Sequence, residues 1–211
     1  MVTELRPQKR RKDRISVFLD GEYAFGLQEI VAAKIRVGQD LTAQDIEALK
    51  EADSVEWSKQ TAVRLLAHRP RSTTEVRRHL AKKNVDDEII DRVIDRLLDL
   101  ELLDDQAFAQ YWVEQRETFR PRSRRALQYE LYQKGLDRHI VEQAVAEVDE
   151  TAAARKAGKK KALLWAHLSE EEFHHKMRGF LNRRGFNYAI IAQVSREMWQ
   201  DLESNDGPNE N

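Results

Sequence analysis

The apolar positions of this chain fall into a pattern that is written out three times. Between Arg69 and Leu103 the apolar residues Val76 and Leu80, then Val85, Ile89, Val93, Leu97 and Leu98, keep the 3.6-residue spacing of two helices that each bury one face. The block opens on Arg69-Pro70-Arg71-Ser72, which returns 51 residues later as Arg120-Pro121-Arg122-Ser123. At that offset Val76 falls on Leu127, Leu80 on Leu131, Asn84 on Gly135, Ile89 on Ile140 and Val93 on Ala144. A fainter copy lies 50 residues further on, where Leu181, Gly185, Ile190 and Val194 repeat Leu131, Gly135, Ile140 and Ala144. A fixed period of this length marks a stack of like units. Here the unit is three helices.

The helices expected in the first unit cover about 55–68, 73–83 and 87–100, in the second 106–118, 124–134 and 138–150, and in the third 151–167, 170–184 and 188–202. Ser72 with Glu75 forms a capping box at the start of a helix. Gly135 sits where the chain must leave its helix through the left-handed region, and Asn84 tolerates the same conformation. Ahead of the repeats, two short alternating runs flank Asp20-Gly21, a pair suited to the positive φ angles of a type I′ turn. Ile15, Val17 and Leu19 would share one face, with Tyr23 and Phe25 opposite them. A helix over about 28–35 ends at Gly38, and Thr42 caps another over 43–52.

The fold expected is mostly α: three tandem three-helix repeats at 54–103, 104–150 and 151–203, stacked as an elongated curved solenoid. A small β-hairpin with short helices precedes them at 14–53. Residues 1–13 are expected to form a flexible basic arm and 204–211 a disordered polar tail.

Composition narrows the function. No cysteine occurs, which removes disulfides, thiolate metal sites and a cysteine nucleophile, and fits a reducing compartment. No apolar run approaches the roughly 20 residues of a membrane span, and the first residues lack the apolar core of a signal peptide. A cytoplasmic protein is expected, and a monomer, because a solenoid with capped ends needs no partner to fold. The net charge of −1 conceals alternating blocks. Residues 57–83 carry eight Lys/Arg against one acid, residues 84–110 two against nine, and residues 155–161 five against none. Such segregation supplies basic faces for a polyanion and acidic faces for something else.

Catalytic signatures are missing from the sequence: no phosphate-cradling glycine loop, no G-x-S-x-G and no H-E-x-x-H. His174 and His175 are adjacent, so on a helix they point apart rather than to one ion. Glu170-Glu171-Glu172 after Ser169 reads as a helix first turn favouring the positive end of the dipole, and Asp104-Asp105 as a cap. Neither an enzyme nor a cofactor or metal is expected.

The basic residues say more. Arg77, Arg78, Lys82 and Lys83 surround the buried stripe of the first unit's second helix, with Arg69 and Arg71 in the turn before it. Arg120, Arg122, Arg124 and Arg125 crowd the equivalent turn of the second unit. The third adds Lys159-Lys160-Lys161, then Arg178, Arg183 and Arg184. Arginine suits phosphate because its planar fork donates two parallel bonds. Any one of these residues would serve equally to keep a helix exterior solvated; the recurrence of the basic turn in two repeats gives the set its weight. Phe108, Tyr111, Trp112, Trp57, Trp165 and Trp199 keep core-compatible spacing, whereas Tyr129 and Tyr132 flank the inward Leu131 and stay open between packing and base stacking.

RPRSTTEVRRHLAKKNV, then LLDDQAFAQYWVEQR, then SRRALQYELYQKGL, taken in that order, resemble the RecX family of regulatory proteins. The likeness includes the Arg-Pro-x-Ser turn, the Leu-Asp-Asp segment at Leu103–Ala109 and Glu-Leu-x-x-Lys-Gly at Glu130–Gly135, and spans about residues 55–200. Asn84 departs from the glycine more usual there. The resemblance implies three tandem three-helix units and binding to the nucleoprotein filament of RecA, the strand-exchange recombinase, typically in its groove. Restraint of filament extension, ATP hydrolysis, strand exchange and co-protease activity is also carried by the resemblance. DNA repair, recombination and the SOS response would then be its setting. The basic faces would meet phosphate or acidic RecA surface, and the acidic third helices, with Asp91, Asp95 and Asp99, basic RecA surface or solvent. Two other readings stay open: a direct helix-turn-helix-like DNA-binding protein, which would discriminate between duplex sequences, and a helical-repeat adaptor for an unrelated protein.

Overall fold

A computed structural model describes residues 1–9, 11 and 13–205. The chain divides into two compact units, Met1–Asp104 and Asp105–Asn211.

The first unit begins with a three-stranded antiparallel sheet in the order β1 (Val2–Pro7), β2 (Arg14–Leu19), β3 (Glu22–Gln28). Asp20 and Gly21 take φ of 49° and 89°, the left-handed pair expected of the turn between β2 and β3. Within the expected basic arm, Val2–Pro7 form a strand. A bulge between Val2 and Glu4 inserts one residue, so Val2 and Leu5 reach the same face as Val17 and Leu19 although their spacing is odd. Val2 is also held by backbone hydrogen bonds to Gly38 and Gln39. A second bulge, at Val17/Phe18, puts Phe25 opposite Val17 on the core face but Tyr23 opposite Phe18. Tyr23 and Phe25 therefore lie on different faces, not on one.

After α1 (Glu29–Ala32), which is shorter than expected, a single helix α2 (Ala43–His68) replaces the two helices read from the sequence. Thr42 and Asp45 close a capping box at its start. Nothing from 43 to 68 is Gly or Pro, and Asp53, which falls between the two expected helices, engages its carboxylate with the sheet. It receives Arg14 Nη2 at 2.8 Å and the amide of Gln28, tying the sheet to the helix. The expected boundary at 53/54 thus runs through a helix. Leu49 joins the sheet core while Ala62 joins the core of the first repeat, completed by α3 (Thr73–Ala81) and α4 (Asp87–Asp99). In α4 the inward residues are Ile89, Ile90, Val93, Ile94 and Leu97; Leu98, expected among them, is 44% exposed.

The second unit holds α5 (Asp105–Phe119), α6 (Arg124–Gln133) and α7 (Arg138–Val145) around Phe108, Leu127, Leu131 and Val141. It continues with α8 (Glu150–Leu164), α9 (Glu170–Asn182) and α10 (Tyr188–Asn205) around Phe173, Met177, Leu181 and Val194. Ser204 and Asn205, expected in the tail, belong to α10, and residues 206–211 lie outside the described residues.

In all three repeats the second helix ends the same way. Asn84, Gly135 and Gly185 take φ of 57°, 79° and 89°. The residue after each donates its amide to the carbonyl of Leu80, Leu131 or Leu181, the Schellman closure. Among the described residues no helix is long and apolar enough to cross a membrane.

Candidate nucleic-acid and protein interface

In the first unit, α3 buries Val76 and Leu80 completely, which turns Arg77, Arg78, Lys82 and Lys83 away from the core. Ser72 caps the helix by accepting the Glu75 amide at 3.1 Å. The basic side chains are not equivalent. Arg69 folds back to grip the Glu75 carboxylate with both terminal nitrogens at 3.0 and 3.1 Å, and also reaches the Pro70 carbonyl at 2.8 Å. It braces the turn. Arg71 is half-buried, with its Nε enclosed and without a hydrogen-bond partner. Arg77 pairs with Asp91 of α4, so basic second helix and acidic third helix meet along one seam. Lys82 and Lys83 stand exposed. Burial, then the charges of Lys83, Arg71 and Lys82, hold the His79 imidazole below its ordinary range. His79 is a resident reporter of the positive field on this face.

In the second unit the turn before α6 is built on buried Pro121 and Ser123. Ser123 caps α6 through the Ala126 amide at 3.1 Å, and donates its own amide to the Arg184 carbonyl at 3.1 Å. Arg122 pairs with Glu130 at 2.8 Å. Glu130, 17% exposed, also accepts Trp112 Nε1–H at 2.8 Å and Arg116 Nε–H at 2.6 Å. Arg124 donates to the Val148 carbonyl at 3.0 Å, its amide meets Glu150, and Arg125 points to solvent.

Packing of the third repeat against this turn adds two further arginines. Arg184 donates to the Pro121 carbonyl at 3.4 Å and lies 4.5 Å over the Phe180 ring. Burial and the neighbouring charges of Arg122, Arg120 and Arg183 push its guanidinium below the usual arginine range. Four guanidinium groups from two repeats share one field, a concentration of charge that an anion would relieve. The sequence names all four but shows no sign that they converge, because the contact depends on how one repeat seats on the next. Lys159 lines a separate recess with Arg155, Leu163 and Asp201. Lys160 is exposed, and Lys161 lies 5.6 Å over the Trp165 ring.

The histidine pair diverges. His174 Nδ1 meets Ser195 Oγ at 2.6 Å while His175 faces solvent. Among the described residues no cluster of three or more His, Asp or Glu is placed to hold a metal ion.

Comparison with known proteins matches most of the chain. Residues 1–42 match the family model described as the regulatory protein RecX N-terminal domain. Residues 59–97, 104–145 and 147–194 match the first, second and third three-helix domains of RecX. The regulatory protein RecX of Bacillus licheniformis is 31% identical over 98% of this chain and 80% of its own length. That of Lacticaseibacillus paracasei is 31% identical over 90% of this chain and 81% of its own. A crystal structure of a regulatory protein RecX shares the fold with a TM-score of 0.70, covering 95% of this chain and 98% of the other at 22% identity. The RecX of Lactobacillus salivarius does so with a TM-score of 0.61 over 70% of this chain and 97% of its own, at 24% identity. With its N-terminal sheet and all three helical repeats matched in order, this chain belongs to the RecX family of regulatory proteins.

Proposed function

We propose that this protein binds the RecA–DNA filament as a monomer and restrains filament extension, ATP hydrolysis, strand exchange and co-protease activity, with no catalysis of its own. The observation that carries the reading is membership of the RecX family, with four family domains matched in order between residues 1 and 194. The charge arrangement supports it. The filament offers phosphate and protein surface together, and this chain offers exposed Lys82 and Lys83 beside an acidic α4, and a four-arginine cluster in its second unit.

Within that reading the basic residues divide by role. Arg69 and Arg122, each engaged with a glutamate of its own repeat, shape the turns. Arg78, Lys82, Lys83, Arg120, Arg124, Arg125, Lys159 and Lys160 are exposed and are the residues assigned to contact. Reversing charge at Arg78, Lys82 and Lys83 together tests the assignment, with inhibition of RecA strand exchange as the readout. Weakened inhibition by a variant that melts like the parent supports it, and undiminished inhibition rejects it. The four-arginine cluster keeps a second reading in play, direct binding to DNA apart from RecA. Binding to duplex with no effect on RecA would select that one.

A further inference from the structure

The second unit contains a cleft of about 1010 Å³ between the start of α6 and the turn joining α9 to α10. Its walls combine two kinds of side chain. Arg122, Arg124 and Arg125 come from the second repeat's basic turn, and Tyr129 and Tyr188 come one from each repeat. Both tyrosines are exposed, Tyr129 by 66% and Tyr188 by 70%. A large ring left in water at two positions facing one cleft does nothing for the core. Phe119 and Tyr132 of the same unit are also exposed, at 74% and 42%, but neither lines the cleft; what sets Tyr129 and Tyr188 apart is that they share its walls with arginines.

The carboxylates in the cleft do not cancel its charge toward a ligand, because both are engaged within the protein. Glu130 is held by Arg116, Arg122 and the Trp112 indole, and Glu150 accepts the Arg124 amide. Arg125 is exposed and forms no ion pair among the described residues, and Arg124 uses one terminal nitrogen on the Val148 carbonyl. Arg178 lies 5.8 Å from the Tyr188 ring centroid, which adds a further cation beside that tyrosine. Arginines for a phosphate chain beside open aromatic faces for bases are the two components of a single-strand platform. A duplex offers only backbone and groove edges to such a surface, its bases being stacked on one another.

We propose that this cleft binds single-stranded DNA, with Arg124 and Arg125 on phosphates and Tyr129 and Tyr188 stacked on bases. The inference deepens the filament reading, on which it rests for the choice of DNA as the nucleic acid. It also makes the contact with DNA direct.

The test uses the full chain and fluorescence anisotropy with three labelled probes: a 20-nucleotide oligothymidylate, an abasic oligomer of the same length, and a 20-base-pair duplex. Tyr129→Ala and Tyr188→Ala should each weaken oligothymidylate binding about tenfold, and Tyr→Phe at either position should leave it unchanged, since the ring is what stacks. Binding of the abasic oligomer should be weaker than that of oligothymidylate and indifferent to either alanine. Thermal melting of each variant should match the parent, as both rings are exposed. The proposal is overturned if the alanine variants bind oligothymidylate as the parent does, if abasic and thymidylate probes bind alike, or if the parent binds neither. Inhibition of RecA is scored separately. Loss of tyrosine-dependent binding with RecA inhibition intact removes the cleft alone, whereas tyrosine-dependent binding without any effect on RecA removes the filament reading alone.

Discussion

Gly185 seats directly on Ser123: a Cβ built at residue 185 would stand 2.6 Å from the Ser123 Oγ and 2.9 Å from the Ala126 Cβ. The same serine caps α6 and donates its amide to the Arg184 carbonyl. One glycine therefore meets two demands, a left-handed φ of 89° to end α9 and a close approach of the third repeat to the second.

The two demands separate in a pair of variants. Gly38 has the same φ but nothing within 4 Å of a Cβ. Gly38→Ala should cost about 1–2 kcal/mol from backbone strain alone. Gly185→Ala adds a clash with a serine locked in a cap, and should cost roughly 1–3 kcal/mol more. Chemical denaturation of both variants checks the difference.

Glu130 holds three donors of the second repeat together. Its carboxylate serves Trp112, Arg116 and Arg122 at once. Glu130→Gln keeps the shape and removes the charge that two guanidinium groups require. It should destabilise the chain by about 1.5–3 kcal/mol, read as a shift in the denaturation midpoint. Arg122, released, should become more mobile in the basic turn.

His79 supplies a pH test of the first repeat's basic face. Its pKa lies below the ordinary imidazole value of about 6.5 because of burial and of Lys83, Arg71 and Lys82. A depressed histidine takes up its proton more readily unfolded than folded. Its effect on stability is absent above about pH 6.5 and becomes a loss as pH falls below that value. An NMR titration should place His79 below the ordinary imidazole value. A polyanion bound to this face would move its pKa upward by offsetting the lysine charges; heparin is a sufficient probe.

How far the sequence could be read depends on how local each determinant is. The repeat, the caps at Ser72 and Ser123 and the left-handed exits at Asn84, Gly135 and Gly185 are encoded within a few residues, and all could be found by spacing. Strand β1 could not, because a bulge reverses the parity of Val2 and Leu5 and an odd spacing does not look like a strand. Nor could the continuity of α2, since the role of Asp53 between the two expected helices depends on its partner Arg14, 39 residues away. The basic turn was visible as a motif. Its convergence with Arg183 and Arg184, and the pairing of Tyr129 with Tyr188 across one cleft, are products of repeat-on-repeat packing, for which no local pattern exists. Tyr188 in particular sits at a helix start with nothing in its neighbours to mark it.

The central claim is tested most directly by RecA's single-stranded-DNA-dependent ATP hydrolysis, measured while this protein is titrated from far below one copy per RecA. Hydrolysis should fall at substoichiometric amounts, because a regulator of filament growth need occupy only a small fraction of its subunits. Hydrolysis that stays at its full rate with the protein in molar excess over RecA would contradict it.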